Sequence, residues 1–511
     1  MKRPLILTID VGTQSLRVAL FDKTGSIVAI VKKPYKEPYV VVGKGGAEQD
    51  PDFYYNTICE GIKELKTKHE SDFNDVIGIC MDTIRDTSVI LNENFKPLHR
   101  TILWLDQRLA KCGLEKRPLL HRCLVSLAGI KKTLELNMHK SISLWYQENE
   151  PEIWKKAKYY CNISGYLTYL LTSEYKDSPA SEIGHFPLNF KKCVYYTNLN
   201  GLKNIYGIPA KMMPELVPQG GILGYINKKT SDLTGLKEGL PLYSCGSDKS
   251  CESLGVGALD PDVAAISYGT ASTIEVTTKK YYDSEPFLPA YPSCIPGYYN
   301  MDVQIYRGYW MINWFLKHFC HYDTNNKEEF NNILESFNEM MDQVSPGCDG
   351  LILQPYWQPG LAKPLARGAV VGFTDTHTSV HFYRAIIEGI CFALREAMEH
   401  FEKKTKCKVK TIMISGGGSQ SDAICRVTAD IFGRPVSRVQ TYETSSLGAA
   451  IAGFVAAKEF KDVHEALEAM VHKQTIFKPN DDVHKIYNKI FYKGYRRMYS
   501  SLIKIYKNIN D

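Results

Sequence analysis

With 511 residues, the chain has room for two to four domains at roughly 150 residues each. Apolar types make up 44% and charged types 23%, the proportions of an ordinary packed protein, which excludes a disordered chain, a collagen-like repeat and a membrane bundle. The 62 basic and 56 acidic residues leave +6, too little over this length to imply a nucleic-acid or membrane partner.

The fourteen cysteines, scattered from Cys59 to Cys425 without a CxxC pair, read as buried free thiols of a cytoplasmic protein. The apolar stretch after Met-Lys-Arg-Pro is stopped by Asp10, short of a signal-peptide core. Leu447 to Ala457 is about half the length that crosses a bilayer.

The chain opens as a predicted antiparallel meander: strand Leu5 to Asp10, turn Val11-Gly12-Thr13, strand Ser15 to Asp22, turn Lys23-Thr24-Gly25, strand Ser26 to Val31. A helix follows from Pro51 to about Lys66, with Asp50 as N-cap and Ile58, Ile62 and Leu65 on one face. A buried strand, Val76 to Met81, comes next, and Trp145 to Ser173 supplies two further helices separated near Asn162. Such mixing of strands and helices indicates an α/β domain.

A second meander begins near Val263, with strands Ala264 to Ser267 and Ser272 to Thr277 about Gly269-Thr270. Gly12-Thr13-Gln14-Ser15 lines up with Gly269-Thr270-Ala271-Ser272 in the same strand-turn-strand context. This predicts two domains of related architecture, 1–245 and 246–511, hinged near Cys245-Gly246-Ser247. Further on, Ser379 to His400 is a helix, Thr411 to Ser415 is a strand entering Gly416-Gly417-Gly418, and Val483 to Tyr506 is a terminal amphipathic helix with a basic solvated face.

Asp10 stands at a strand end beside a glycine turn. The turn amides and the Thr13 hydroxyl can meet phosphate oxygens, Asp10 can hold Mg²⁺ directly or through water, and Arg17 can neutralise charge. A plain hairpin turn with an exposed Asp explains the segment equally well. The turn Ser267 to Ser272 offers similar donors without the aspartate, so the pair reads as a clamp on a polyphosphate. Gly416-Gly417-Gly418-Ser419-Gln420-Ser421 precedes a helix from Asp422 to Phe432, and there the backbone can approach an adenine and ribose; the alternative is a flexible connection. The small-residue helix from Glu443 to Ala450 could line the same pocket or serve close helix packing.

Asp248, at a helix start, can accept the proton of a substrate hydroxyl attacking a phosphoryl group, or be an ordinary helix-start acid. Arg85-Asp86-Thr87 and Trp104-Leu105-Asp106-Gln107-Arg108 gather polar groups beside an aromatic face, as a polyhydroxylated substrate requires, or form surface ion pairs.

Taken in order, Asp10-x-Gly12-Thr13-x-Ser15-x-Arg17, Glu48-Gln49-Asp50-Pro51, Ile102-Leu103-Trp104-Leu105-Asp106-x-Arg108, Gly246-x-Asp248, Gly269-Thr270, Arg367-Gly368 and Gly416-Gly417-Gly418 resemble the FGGY family of carbohydrate kinases. The segment Arg367 to Arg395, with Gly372, His377, Arg384-Ala385, Glu388-Gly389 and Phe392-Ala393-Leu394, resembles that family's second-domain signature.

The resemblance implies an α/β protein of two ribonuclease-H-like (actin-like ATPase) domains flanking a cleft. The N-terminal domain, 1–245, would bind sugar, and the C-terminal domain, 246–511, would bind nucleotide. By residue, Asp248 would be the general base and Asp10 would organise Mg²⁺. Gly12, Thr13, Gln14, Arg17, Gly269 and Thr270 would hold the phosphates of ATP, and Gly416, Gly417, Gly418 and Ser421 would lie near its adenosine. Arg85, Asp86, Trp104 and Asp106 would join Asp248 around a small sugar or polyol. A homodimer is kept as an option; nucleic acid and membrane are not expected.

Some positions depart from the pattern. Xylulokinases commonly carry Gln-Met-His-Gly where this chain has Thr83-Ile84-Arg85-Asp86, and glycerol kinases carry Arg-Glu-Thr, nearer to Arg85-Asp86-Thr87. Trp104 to Arg108 is nearer the Trp-x-Asp-x-Arg of pentulose kinases. Gln358 to Pro364 replaces the usual Gly-Glu-Arg-Thr-Pro, and Lys249 follows Asp248 where an amide is common. The expected activity is ATP-dependent phosphorylation of a ketopentose such as xylulose, with glycerol or another polyol as the alternative. An actin-like nucleotide switch and a catalytically silent sugar sensor are the readings from other classes; Asp248 beside the polar first-domain cluster speaks against the switch, and the presence of both Asp10 and Asp248 weighs against the sensor.

Overall fold

The computed structural model describes residues 3–43, 45–111, 113–116, 118–127, 131–198, 204–284, 288–322, 327–360 and 363–509. Leu361 and Ala362, in the stretch that departs from the family pattern, and Met1-Lys2 lie outside the described residues.

The chain forms two compact units. The first comprises Met1–Gly255, Tyr291–Tyr299 and Glu443–Val471, and the second Val256–Ala290, Asn300–Tyr442 and His472–Asp511. A single boundary at 245/246 therefore does not describe them. Cys245-Gly246-Ser247, expected as a hinge, is built into the first unit: the Ser178 hydroxyl donates to the Cys245 carbonyl at 2.5 Å, and the Ser247 amide donates to the Ala180 carbonyl at 3.0 Å.

The principal sheet of the first unit contains β1 (Leu5–Val11), β2 (Ser15–Phe21), β3 (Ile27–Pro34), β4 (Val76–Thr83), β5 (Ile222–Tyr225) and β6 (Pro241–Tyr243), in the order β5-β6-β4-β1-β2-β3. The meander is present as expected: β1 pairs antiparallel with β2, and β2 with β3. The parallel strands β4 and β6 extend the sheet beyond β1. All seven β1 residues are buried, which is why the strand reads as a nearly continuous apolar run rather than an alternating one. The helix Pro51–Lys68 starts where Asp50 Oδ1 accepts the Asp52 amide at 2.9 Å, and it packs Tyr54, Ile58, Ile62 and Leu65 into the core.

A five-stranded sheet in the same unit includes Tyr159–Asn162. The expectation of two helices over Trp145 to Ser173 is corrected here: short helices at Ile142–Asn149 and Pro151–Lys156 precede this strand, and the helix Ile163–Thr172 follows it.

The second unit repeats the plan with β7 (Val263–Tyr268), β8 (Ser272–Thr278), β9 (Tyr299–Ile305), β10 (Thr411–Ser415), β11 (Val436–Val439) and β12 (Lys473–Phe477), ordered β9-β8-β7-β10-β11-β12. As in the first unit, an antiparallel hairpin (β7, β8) is extended by parallel strands, β10 against β7 and β11 against β10. This is a ribonuclease-H-like plan made twice. The predicted helix after residue 379 runs to Thr405, where Lys406 caps it in the left-handed region (φ 60°). The terminal helix is interrupted, with a π-turn at Phe491–Tyr495 between Asp481–Ile490 and Arg496–Asn508. Among the described residues no helix is long and apolar enough to cross a membrane.

Candidate active site

In the first unit, the carboxyl ends of β1 and β4 meet the start of the helix Asp248–Gly255. Asp10 lies opposite Arg17 in the β1–β2 register and opposite Asp82 in the β1–β4 register. Thr83, the last residue of β4, bridges to Ser247, which brings Asp248 alongside the strand ends. Arg17 reaches Asp10 Oδ2 at 3.2 Å through Nη1 and Glu443 Oε2 at 2.8 Å through Nε. The Asp10 carboxyl is raised to about 6 in all: burial pushes it up most, Arg17 pulls it down, and Asp248 and Glu443 push it up.

Asp248 accepts its neighbour's amide, Lys249 N–H to Oδ1, at 2.7 Å. Burial raises its pKa, while the positive charges of Lys249 and Arg85 oppose the rise. Lys249 also pairs with Glu252 at 2.5 Å. The helix that carries Asp248 is held by close packing: a Cβ added at Gly255 would stand 1.9 Å from the Thr444 carbonyl, and one at Gly448 would stand 1.8 Å from the Cys251 carbonyl. The small-residue helix Thr444–Ala456 thus belongs to the first unit and serves helix packing.

Asp82 was not anticipated from the sequence. It is fully buried, and neither carboxylate oxygen finds a hydrogen-bond partner among the described residues. Such a group needs a proton or a cation. Among the described residues, no group of three or more His, Cys, Asp or Glu is placed to hold a metal alone. Mg²⁺ keeps several waters and takes one or two carboxylates alongside substrate phosphates, so Asp10 with Asp82 has the chemistry to hold it.

The residues expected around the sugar behave differently from one another. Trp104 Nε1 donates to the Thr13 hydroxyl at 3.0 Å, tying the first glycine turn to the segment Trp104 to Arg108. Asp106 does not meet its expectation as an open substrate ligand. Its carboxylate accepts the Ala47 amide at 2.7 Å and the Arg108 guanidinium at 2.7 Å, and its side chain is 1% exposed. Arg108 in turn pairs with Glu48 at 2.8 Å and lies over the Trp145 ring, so this cluster is an internal brace.

Asp86 adopts a left-handed backbone (φ 50°), and its carboxylate accepts the His185 ring Nδ1 at 2.7 Å and the His185 amide at 3.0 Å. Burial alone would raise its pKa, but His185 outweighs that and holds it below the usual value. His185 was missed in the sequence because nothing near residue 185 marks it; only the fold brings it to Asp86. The Arg85 guanidinium lies 5.6 Å from the Tyr291 ring centroid.

In the second unit, Gly416 (φ 78°) brings the β10 end against the backbone of Tyr268, where an added Cβ would stand at 2.7 Å. The Gly269-Thr270 turn and the triple glycine are therefore neighbours. Gly417 faces open space apart from the Tyr268 carbonyl at 4.0 Å, whereas Gly418 packs on Tyr268 and Tyr309. Ser421 caps the helix Asp422–Phe432, its hydroxyl accepting the Ile424 amide at 3.4 Å. The triple glycine is a short 3₁₀ turn, Gly417–Gln420, rather than a loose connection. The Gly12 and Gly269 amides close their own turns, on Ser15 and Ala271 respectively, each at 3.1 Å.

Two ribonuclease-H-like units, each with a glycine turn between its first two strands, define an actin-like ATPase architecture. The N-terminal and C-terminal domain models of the FGGY family of carbohydrate kinases match residues 5–255 and 264–457, and the chain belongs to that family. A curated relative, the xylulose kinase of Lactococcus lactis, is 28% identical over 511 residues, covering 98% of this chain and 97% of the relative. Among solved structures, gluconate kinase from Lactobacillus acidophilus superposes with a TM-score of 0.84 at 22% identity, covering 99% of this chain and 100% of its own. Ligand-bound xylulose kinase from the same organism gives 0.84 at 23% identity, with the same coverage. The chain is thus an ATP-dependent phosphotransferase whose acceptor is an alcohol group of a sugar or polyol.

Proposed function

We propose that this kinase phosphorylates a ketopentose such as xylulose, with Asp248 as general base. The observation that carries the mechanism is the position of Asp248. A partly exposed carboxylate with a raised pKa, placed beside the ends of β1 and β4, is well matched to take the proton of a sugar hydroxyl near neutral pH. The preference for xylulose is supported by the Lactococcus lactis xylulose kinase, which aligns along nearly the whole chain.

In this reading, Asp10 would hold Mg²⁺ directly or through water, and the chemistry the ion would supply when bound is charge neutralisation at the phosphoryl group. Arg17 keeps Asp10 oriented, and Arg85 with Asp86 and His185 shapes the sugar side. The Gly269-Thr270 turn and Gly416 to Gly418 hold the nucleotide through the backbone, where side chains are absent or small. Phosphoryl transfer needs little covalent help, so positioning and charge neutralisation carry most of the rate.

We also place the protein in the cytoplasm. Free cysteines support this, Cys245 and Cys251 keeping their sulfurs 3.4 Å apart as thiols. A homodimer is the assembly to test by light scattering.

A coupled ADP-release assay over ketopentoses, glycerol and other polyols, and sugar acids tests the proposal. Turnover on xylulose at least tenfold above every other acceptor is expected. Preference for glycerol or a sugar acid would replace the substrate, and no turnover on any would remove the enzymatic reading.

A further inference from the structure

We propose that Asp82 is a second carboxylate that, with Asp10, holds the divalent cation, directly or through water. The inference rests on the kinase reading above and adds to it a residue to which that reading gives no role.

Asp10 and Asp82 are register partners at the ends of adjacent parallel strands. Asp82 is 0% exposed and Asp10 6%, so bulk water screens neither charge well. The nearby cation is already committed: Arg17 meets Asp10 and Glu443, and both Asp82 oxygens lack a hydrogen-bond partner among the described residues.

The fold itself does not require acids here. In the second unit, the corresponding register partners at the ends of β7 and β10 are Ser267 and Ser415, so two carboxylates at these strand ends are a property of the first unit. A hard cation that brings its own waters and phosphate ligands satisfies two such carboxylates without a protein cage. Asp82 has an acceptor-only carboxylate for that purpose when ionised.

Mn²⁺ is the probe, and the test uses the full-length protein with ADP. Free Mn²⁺ is followed by electron paramagnetic resonance for wild type, Asp82→Asn, Asp82→Ser and Asp10→Asn, and ADP affinity is measured separately in EDTA. Asp82→Asn and Asp82→Ser should each weaken Mn²⁺ binding about tenfold or more, while ADP affinity without metal stays within twofold of wild type. Asn keeps the shape of the side chain and Ser copies the second unit, so a folding defect in one leaves the other to decide.

Wild-type Mn²⁺ affinity in both variants would mean that a proton alone neutralises Asp82, and the proposal would be overturned. If Asp10→Asn loses Mn²⁺ in that case, the kinase reading stands without Asp82. If wild type binds Mn²⁺ with ADP through Asp82 but phosphorylates no sugar in the panel, the kinase reading fails and the Asp82 assignment holds.

Discussion

The two hairpin turns occupy the same place in two copies of one plan, yet they are equipped differently. In the first unit Val11 pairs with Leu16, leaving four residues in the turn; in the second Tyr268 pairs with Ser272, leaving three. The apparent match of Ser15 with Ser272 is therefore one residue out of register. Around the first turn the strand ends carry Asp10, Arg17 and Asp82, whereas the equivalent second-unit positions carry Ser267, Thr273 and Ser415. Backbone architecture sets where a ligand can come close, and the strand-end side chains decide whether that place handles charge. A repeated motif is thus a guide to location and a poor guide to chemistry.

The difference between the units can be broken most forcefully at Asp248, an acid of the first unit only. Asp248→Asn should lower kcat by roughly 10²–10⁴ while leaving ADP binding within twofold. Full activity in that variant would take Asp248 out of the mechanism.

Giving the second unit an acid is the reverse manipulation. Ser415→Asp would bury a carboxylate beside Ser267 with no arginine across the hairpin, and should destabilise the protein by about 3 kcal/mol. A thermal midpoint equal to wild type would show that these strand ends accept charge as readily as those of the first unit.

Third in expected size is the effect of Asp10 on the metal-free protein. Its pKa is raised to about 6, so between about pH 4 and 6 the folded state binds more protons than the unfolded state, and stability falls as pH rises through that window. Asp10→Asn should remove this cost and raise stability by up to about 3 kcal/mol at pH 8, with the gain fading below about pH 4. Urea denaturation in EDTA at several pH values measures it, and a gain that grows toward acid would contradict the raised pKa.

The smallest effect sharpens a single second-unit residue. Ser421→Ala should cost about 1 kcal/mol through the lost cap and leave ADP affinity unchanged. A clear loss of ADP affinity would return Ser421 to the nucleotide site.

Much of this could be read before any coordinates. The opening meander, the helix capped by Asp50 and the strand into the triple glycine carry local signals: turn residues, a cap and periodicity. Asp10, Arg17 and Asp248 were visible for the same reason, as charged residues at strand or helix ends. What escaped depends on contacts between distant segments. Tyr159–Asn162 is too short to show alternation. The return of Glu443–Val471 to the first unit rests on Gly255 and Gly448 meeting carbonyls across two helices. Asp106 looked like a ligand until Ala47 and Arg108 were found to occupy it. Asp82 lay one residue past the expected strand end, and only the parallel register with Asp10 reveals it. Aligning the ends of adjacent parallel strands is the signal that could have found it.

The left-handed turn at Asp86 bears on how such an enzyme could change its diet. The Asp86 amide donates to the Ile183 carbonyl at 3.0 Å, and a side chain at Gly184 would run into the Asp86 carboxylate at 2.3 Å. Asp86, Gly184 and His185 therefore depend on one another, and a substitution at one should cost less when the others change with it. New acceptors would be reached more readily by exchanging both loops together than by single steps, and an engineer seeking another sugar would do best to transplant them as one cassette.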